Sequence, residues 1–581
     1  MLLSRRSVLP LLGLPPACAW AQGIASRKLK PVARGKPSGH PFHAHFTDIA
    51  AQAGLTSPTV YGSADKRQYI LESVGCGAAF FDYDNDGWLD IFVLCGQSLD
   101  TQGEPATNRL YKNNRDGTFR DVTKEAGLAR SGWASGVCVG DYNNDGHEDL
   151  FITYWGQNVL YRNNGDGTFS DVTKEAGLLH RDTRWGAGCT FLDYDRDGHL
   201  DLFVSNYLEF DFASVPKPGE ASTCVWKGID VFCGPRGLPK SQQFLYRNNG
   251  DGTFTDVSER SGIAAAKESY GMTAVAADLD NDGWADIYVA CDSTFSLLFR
   301  NNHDGTFTEE GLERGVALSE DGKEQAGMGI GVGDYDLDGN LDIFKTHFVD
   351  DTSGLYQNDG KGLFQDATVS SGLAVETRFI GWGAGIVDLD NDGFPDIFLV
   401  TGGVFPEVAS KLKAYPYNSP RVIFRNLGNG NFEELLDQAG PGVSAVHCSR
   451  GCAFGDFDND GDIDILIINL HEPPSLLRND LKVQSNWLKV KLVGVTSNRS
   501  AIGATVIATY GGKRQAQAVL SQSSFYSVSD NRLHFGLGGE KSAELEIRWP
   551  NGANEKVAGV VANRLVTVRE GSGIVDAKAF G

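Results

Sequence analysis

Short apolar runs recur along this chain in a fixed order. A Gly/Ala-rich run, as in Gly75–Phe81, leads into an acidic loop, and a second run, as in Ile91–Leu94, leaves it. A third ends in Leu-Tyr-Arg-Asn-Asn, and a Gly-Asp-Gly turn gives a fourth that contains Thr-Phe-x-Asp-Val. Runs this short, punctuated by Asp-Gly and Asn-Gly, predict β-strands joined by tight hairpins. Gly supplies positive φ there, and Asn and Asp tolerate it. The small residues of the first strand suit the crowded centre of a ring.

The rhythm is an internal repeat. A nine-residue pattern, Asp-x-Asp/Asn-x-Asp-Gly-x-x-Asp, occurs seven times, beginning at Asp82, Asp141, Asp193, Asp278, Asp334, Asp388 and Asp456. A second pattern, Asn-Asn-Gly-Asp-Gly-Thr-Phe-x-Asp-Val-Thr-x-x-Ala-Gly-Leu, alternates with it at 113–128, 163–178 and 248–263, and in degraded form at 301–316, 358–373 and 426–440. Its second half alone opens the series at Phe46–Leu55. A repeat that starts and ends in mid-unit is expected where the first and last segments share a blade. The fold class expected is all-β: a seven-bladed β-propeller with calcium loops, followed by a small C-terminal β-sandwich-like domain. A linear solenoid is the alternative.

The acidic loop has the chemistry of a hard-cation site. Carboxylates at positions 1, 3 and 5 converge as the chain curls, Gly at position 6 permits the reversal, position 7 offers its carbonyl, and the Asp at position 9 returns to the ion. The expected ligands are Asp82, Asp84, Asp86, Trp88 and Asp90 in the first loop, then Asp141, Asn143, Asp145, His147 and Asp149. The third and fourth loops offer Asp193, Asp195, Asp197, His199 and Asp201, and Asp278, Asp280, Asp282, Trp284 and Asp286. The fifth and sixth offer Asp334, Asp336, Asp338, Asn340 and Asp342, and Asp388, Asp390, Asp392, Phe394 and Asp396. The seventh offers Asp456, Asp458, Asp460, Asp462 and Asp464. All-oxygen, multiply anionic sets suit Ca²⁺ before Mg²⁺, and neither Zn²⁺ nor Cu²⁺. Up to seven Ca²⁺ are expected. The Asn-Gly-Asp-Gly turns read as hairpins, not metal sites.

Composition changes the picture in one respect. The 581 residues carry a formal charge of −23. Much of that acidity is the loop inventory itself. Together with the absence of basic clusters, it excludes a general nucleic-acid binder, and no stretch is long and apolar enough to span a membrane. Residues 1–21 read as a twin-arginine-like export signal, from Arg5-Arg6 and Ala19-Trp20-Ala21, and residues 22–42 as a basic linker. Export to the periplasm or outside the cell is expected, and it permits a disulfide between Cys224 and Cys233 in the long irregular insertion 208–243. Cys448 and Cys452 either pair or stay free. Cys76, Cys138 and Cys189 read as small packing residues.

The loops and strands resemble the FG-GAP, or VCBS-type, repeats of integrin α-subunit propellers. Residues 43–482 would form the propeller. Past residue 482 the pattern changes. Trp487–Leu492, Asn498–Ala504, Gln522–Ser527, Leu533–Gly538 and Arg548–Gly552 resemble an ASPIC/UnbV domain over 483–570, leaving 571–581 as a tail. The two motif sets in this order resemble the cartilage acidic protein family. The resemblance implies calcium binding, export and a role in adhesion or extracellular interaction.

A ligand would be sought on the rim opposite the acidic loops. Trp133, Trp155, Arg184, Trp185, Tyr207, Tyr270, His347, Arg378, His447 and His471 are the candidates, with Arg130, Tyr154, Arg181, Asp292, Arg450 and Glu472 nearby. The insertion and the loop 402–420 should rise there too. Aromatics with mixed charge suit a protein, a glycan or a polar small molecule. No Gly-x-Ser-x-Gly elbow, His-Glu-x-x-His or phosphate loop is present, so a non-catalytic recognition protein is the leading reading. The alternative is an enzyme, a hydrolase or a cyclising biosynthetic enzyme, working on that rim. His347, His447 and His471 meeting at a transition metal is a remoter expectation, and His534 reads as structural.

Overall fold

The computed structural model describes residues 23–99, 106–267, 269–483 and 485–579. The leader expected over 1–21 lies outside the described residues. The fold is a β-propeller joined to a two-sheet domain. Its first unit runs Ala78–Phe81, Asp90–Val93, Arg109–Asn113 and Phe119–Asp121, each strand antiparallel to the next. The same four-stranded meander follows from Trp133–Gly140, Arg184–Leu192, Gly271–Ala277, Ile330–Gly333 and Gly381–Val387. The last unit takes three strands from Ser449–Gly455, Asp464–Asn469 and Ser475–Asn479, and its fourth from the other end of the chain. Phe46–Asp48 pairs there in antiparallel register, Phe46 opposite Asn479. First strands of successive units lie side by side, and Ser449–Gly455 lies beside Ala78–Phe81. A linear solenoid is thereby excluded.

Tight approach at the centre explains the glycines of the first strands. A Cβ on Gly77 would lie 1.9 Å from the Tyr526 carbonyl oxygen, and one on Gly329 would lie 2.0 Å from that of Trp382. No larger residue fits at either place.

The C-terminal domain packs two four-stranded sheets face to face. One sheet orders Leu533–Gly538, Asn486–Val493, Leu565–Arg569 and Gly573–Lys578, and the other Lys513–Ala518, Thr505–Tyr510, Ser542–Arg548 and Asn554–Val561. Leu488, Val490, Val506, Ile547 and Val566 fill the space between them.

The two parts are not beads on a string. The stretch 521–529 leaves the sandwich and enters the centre of the propeller. Val528 N–H donates to Ala78 O at 2.9 Å, and Ser524 exchanges backbone hydrogen bonds with Ile330 at 2.6 and 2.7 Å. Gln522 donates to Val137 O at 2.7 Å and accepts from Cys189 N–H at 3.1 Å. Ser524 Oγ accepts from Ala384 N–H at 3.1 Å, and Ser529 Oγ from Phe454 N–H at 3.2 Å. Phe525 packs on Trp382 and stacks on Tyr526. The channel is therefore filled by protein.

The stretch expected to be a linker is pinned along the outside of the ring. Ala25 N–H donates to Ser293 Oγ at 2.9 Å, Arg27 Nε to Asp351 at 2.7 Å, Val32 N–H to Ala374 O at 2.9 Å and His43 N–H to Asp390 at 3.1 Å. It contains no regular strand or helix between 23 and 42.

Candidate metal centres

Each acidic loop curls through two left-handed residues. Position 6 is the expected glycine, with φ between 84° and 94° in all seven. Position 4 is left-handed as well. Five loops place Asn there (Asn85, Asn144, Asn281, Asn391 and Asn459), and the other two force Arg196 and Leu337 to φ of 58° and 62°. Asn adopts this conformation at little cost, whereas Leu does not.

The curl is held by the carboxylates themselves. Asp82 at position 1 accepts from Asp86 N–H at 2.8 Å and Gly87 N–H at 2.9 Å. Asp86 at position 5 accepts from Trp88 N–H at 3.0 Å. The same bond runs from His147, His199, Trp284, Asn340, Phe394 and Asp462 to the position-5 carboxylates of their own loops. Asp90 at position 9 accepts from Asn113 N–H at 2.8 Å and Tyr83 N–H at 3.3 Å.

Position 3 is different. Oδ1 of Asp84, Asp195, Asp336 and Asp458 is buried and accepts no hydrogen bond, as is Oδ1 of Asp278. A buried carboxylate oxygen without a donor costs free energy unless something positive faces it. Ligand atoms of Asp82, Asp84 and Asp86 lie within 4.8 Å of one another, as do those of Asp193, Asp195 and Asp197 and of Asp278, Asp280 and Asp282. Asp334, Asp336 and Asp342, and Asp388, Asp390 and Asp396, converge in the same way. These acidic clusters could hold metal ions, and the unpartnered oxygens are where an ion would sit. In loop two, Asn143 instead turns its amide onto Asp145 at 2.9 Å.

Electrostatics agree. Burial, and then the neighbouring carboxylates, push Asp90 up to about 8 against the hydrogen bond from Asn113. Burial also raises Asp193 and Asp334 to about 7 and Asp141 to about 6. Without a cation these groups resist ionisation. Side chains offset only part of the charge: Arg115 reaches Asp86, and Arg247 reaches Asp195 and Asp197, each at 2.7 Å. The Gly-Asp-Gly turns carry no comparable convergence. Asp116, Asp166 and Asp251 each accept from the backbone and hydroxyl of the Thr two residues on, which holds them below the ordinary carboxylate value.

The sequence reading missed one set of residues. The first Asn of Asn-Asn ends the third strand, and the sequence alone gives it no further role. In the structure it clamps two loops together. Asn248 Nδ2 donates to Leu200 O of its own loop at 3.0 Å and to Tyr142 O of the preceding loop at 2.8 Å. Asn113, Asn163, Asn301, Asn358 and Asn426 bridge in the same way. The signal was its recurrence as the last residue of each unit's third strand.

Half of the ten candidate residues on the opposite rim are covered. Trp133, Trp185, Tyr207, Tyr270 and His347 are buried, together with Tyr154, Asp292 and Arg450. The insertion lies over them. Phe210 meets Trp155 and Trp185 edge-on, Phe212 meets Trp155, and Trp185 meets Tyr207. Trp226 and Phe232 continue the layer onto Phe405 in the loop 402–420. Arg378 is exposed, and Arg184, His447, His471 and Trp155 keep partial exposure. Arg378 is engaged by Glu376, and Arg450 by the carbonyls of Ser73, Ser449 and Gly403. The histidines keep separate company: His347 beside Lys345, His447 on Glu472, and His471 near Arg67. Cys224 and Cys233 form a disulfide within the insertion. Cys448 and Cys452 are free and buried. His534 is buried, with Nε2 2.6 Å from Asn391 Oδ1, at the seam between the two parts.

Among the described residues no helix is long and apolar enough to cross a membrane. The chain matches the FG-GAP-like repeat over residues 82–152, 141–204, 228–289 and 278–345, and ASPIC and UnbV over 494–575. Cartilage acidic protein 1 of Mus musculus is 24% identical over 82% of this chain and 70% of its own length. That of Homo sapiens is 24% identical over 82% and 69%. A solved lectin of Agrocybe aegerita superposes with a TM-score of 0.34 and 19% identity, over 68% of this chain and 86% of the lectin. The chain is thus a homologue of cartilage acidic protein 1, built from FG-GAP-like repeats and an ASPIC and UnbV domain.

Proposed function

We infer that this is an exported, calcium-stabilised β-propeller of seven blades that works by recognition, without catalysis. The observation that carries the calcium reading is the set of buried, unpartnered position-3 oxygens in loops already crowded with carboxylates. Asp84, Asp195, Asp336 and Asp458 would face the ion, with the carboxylates at positions 1, 5 and 9 around it and the position-7 carbonyl completing an all-oxygen set. Bound calcium supplies positive charge that lets these groups ionise together. The chain's own residues supply the preformed curl. Export accords with the paired-arginine leader and with the disulfide. The burial of the aromatic rim and the filled channel weigh against an enzyme seated there.

Elemental analysis of the purified protein, with calorimetric titration after chelation, tests the reading. Several calcium ions per chain, bound with displacement by EDTA, are expected. Absence of bound metal and of any heat on calcium addition would sink it. N-terminal sequencing of the exported protein should begin just after Ala21. A screen of peptides, glycans and polar small molecules in the presence of calcium tests recognition, and a ligand-dependent rise in melting temperature is the expected sign.

A further inference from the structure

The acidic rim is covered by the chain's own C-terminal domain, and the domain touches every loop. Arg532 donates to Gly87 O of the first loop at 3.4 Å and to Asp456 O of the seventh at 3.2 Å. Ser500 Oγ accepts from Asp141 N–H at 3.0 Å in the second. A Cβ on Gly198 of the third would lie 2.7 Å from Thr496 O. Arg548 bonds Asn281 of the fourth. Ala516 N–H donates to Asp334 Oδ2 of the fifth at 2.9 Å, and Gly538 N–H to Asn391 O of the sixth at 2.9 Å.

These contacts read the shape of the loops more than their charge. Asn85, Asn144, Asn391 and Asn459 each donate from position 4 to the position-6 glycine carbonyl of the next loop, at 2.9 to 3.2 Å. The fifth loop has Leu337 at that position and cannot donate. At that junction the C-terminal domain supplies the missing donor: Lys513 Nζ lies 3.2 Å from Gly393 O and 3.0 Å from Asp392 O. Arg514 reaches Asp338 O at 3.3 Å. Most of the domain's polar contacts therefore end on backbone carbonyls or on Asn, which face the domain only while the loop is curled. Two contacts reach ligand carboxylates instead: that of Ala516 N–H with Asp334, given above, and that of Lys489. Lys489 pairs with Asp456 Oδ2 at 2.7 Å, both side chains fully buried.

We propose that calcium occupancy of the loops and seating of the C-terminal domain are one linked equilibrium, in which calcium holds the curled loops that the domain grips and its loss withdraws the stretch 521–529 from the channel. This rests on the calcium reading above. Two effects oppose each other when calcium leaves. Bare carboxylates attract Lys489, Arg532 and Lys513 more strongly, but they repel one another and open the loops that carry the acceptors. Because the contacts are mostly to carbonyls, the geometric loss outweighs the charge gain. Linkage is reciprocal, so a domain that grips less well must lower calcium affinity by the same factor.

The test uses the full chain. Bound calcium is counted by elemental analysis while hydrogen exchange is followed before and after chelation. Chelation is expected to speed exchange of the Ser524 and Val528 amides about fivefold or more, while the sandwich strands Asn486–Val493 and Thr505–Tyr510 stay protected. Calcium that leaves without changing the 521–529 amides overturns the linkage and spares the calcium reading. Simultaneous deprotection of the sandwich also overturns it, as global unfolding. A protein that binds no calcium at the outset overturns both. As a second arm, the double variant K513M/R514M should bind calcium about fivefold or more weakly, with K556M, whose ammonium is exposed and faces Glu546 of its own domain, as control. Unchanged affinity in the double variant overturns the linkage.

Discussion

The two rims of the propeller are both covered, by opposite means. The acidic rim is polar and is capped by a separate domain that bonds mostly to backbone carbonyls, and to the buried carboxylates of Asp334 and Asp456. The other rim is aromatic and is capped by an insertion that buries Phe210 and Phe232 against it. The first cap requires the loops beneath to hold one conformation, so it inherits whatever stabilises them. The second requires only apolar area to be removed from water, and stands by itself.

Chelation should separate the rims most strongly. At a hundredfold excess of calcium over the dissociation constant, each site contributes about 2.7 kcal/mol, so losing several should lower the melting temperature by ~10 °C or more. Scanning fluorimetry with EDTA and calcium add-back reads this. A calcium-insensitive melting curve would erase the contrast. Next in size, Trp185→Ala, beneath the insertion, should cost about 3–5 kcal/mol. Denaturant unfolding should give the same loss with and without EDTA, and a loss that vanishes in EDTA would tie the aromatic rim to calcium after all. Asn248→Ala strips two buried carbonyls of their donor and should cost about 1–3 kcal/mol, more of it visible in calcium than in EDTA.

The smallest effect lies in the cap itself. Burial pushes the Glu570 carboxyl up, but hydrogen bonds from the Thr496 hydroxyl and the backbone N–H groups of Ser497, Val495 and Thr496 outweigh it and hold it at about 2. Its folded value lies below its unfolded one, so its contribution is present above about pH 4.5 and fades as pH falls towards 2. Solvent screening limits it to about 1 kcal/mol. Acid titration of Glu570→Gln should therefore converge on the parent protein near pH 2, and a constant gap would refute this assignment.

The acidic loops were legible in the sequence because everything that makes them is local. Nine consecutive residues carry the ligands, the left-handed Gly and the return Asp. Ring closure was legible too, since Phe46–Leu55 is half of a repeat whose other half lies at the far end. Three things were not. Trp133 and Trp185 sit at strand ends, where a ligand face and an inter-blade core use the same residues. Only the folded position of Phe210 decides between them. Asn113 and its equivalents showed only as strand ends, because the second partner of each belongs to the neighbouring blade. The stretch 521–529 looked like part of its own domain, because Gln522 bonds residues more than 300 positions earlier.

That stretch also bears on when the molecule can fold. Phe46–Asp48 waits for Asn479 to complete its sheet, and the first strands wait for residues near the very end to fill their centre. Early strands leaving a ribosome have no partner to close the ring, and pairing across such separations is slow because loop entropy is lost before contacts repay it. Folding should therefore be post-translational, with little protection in the blades until the last hundred residues are present.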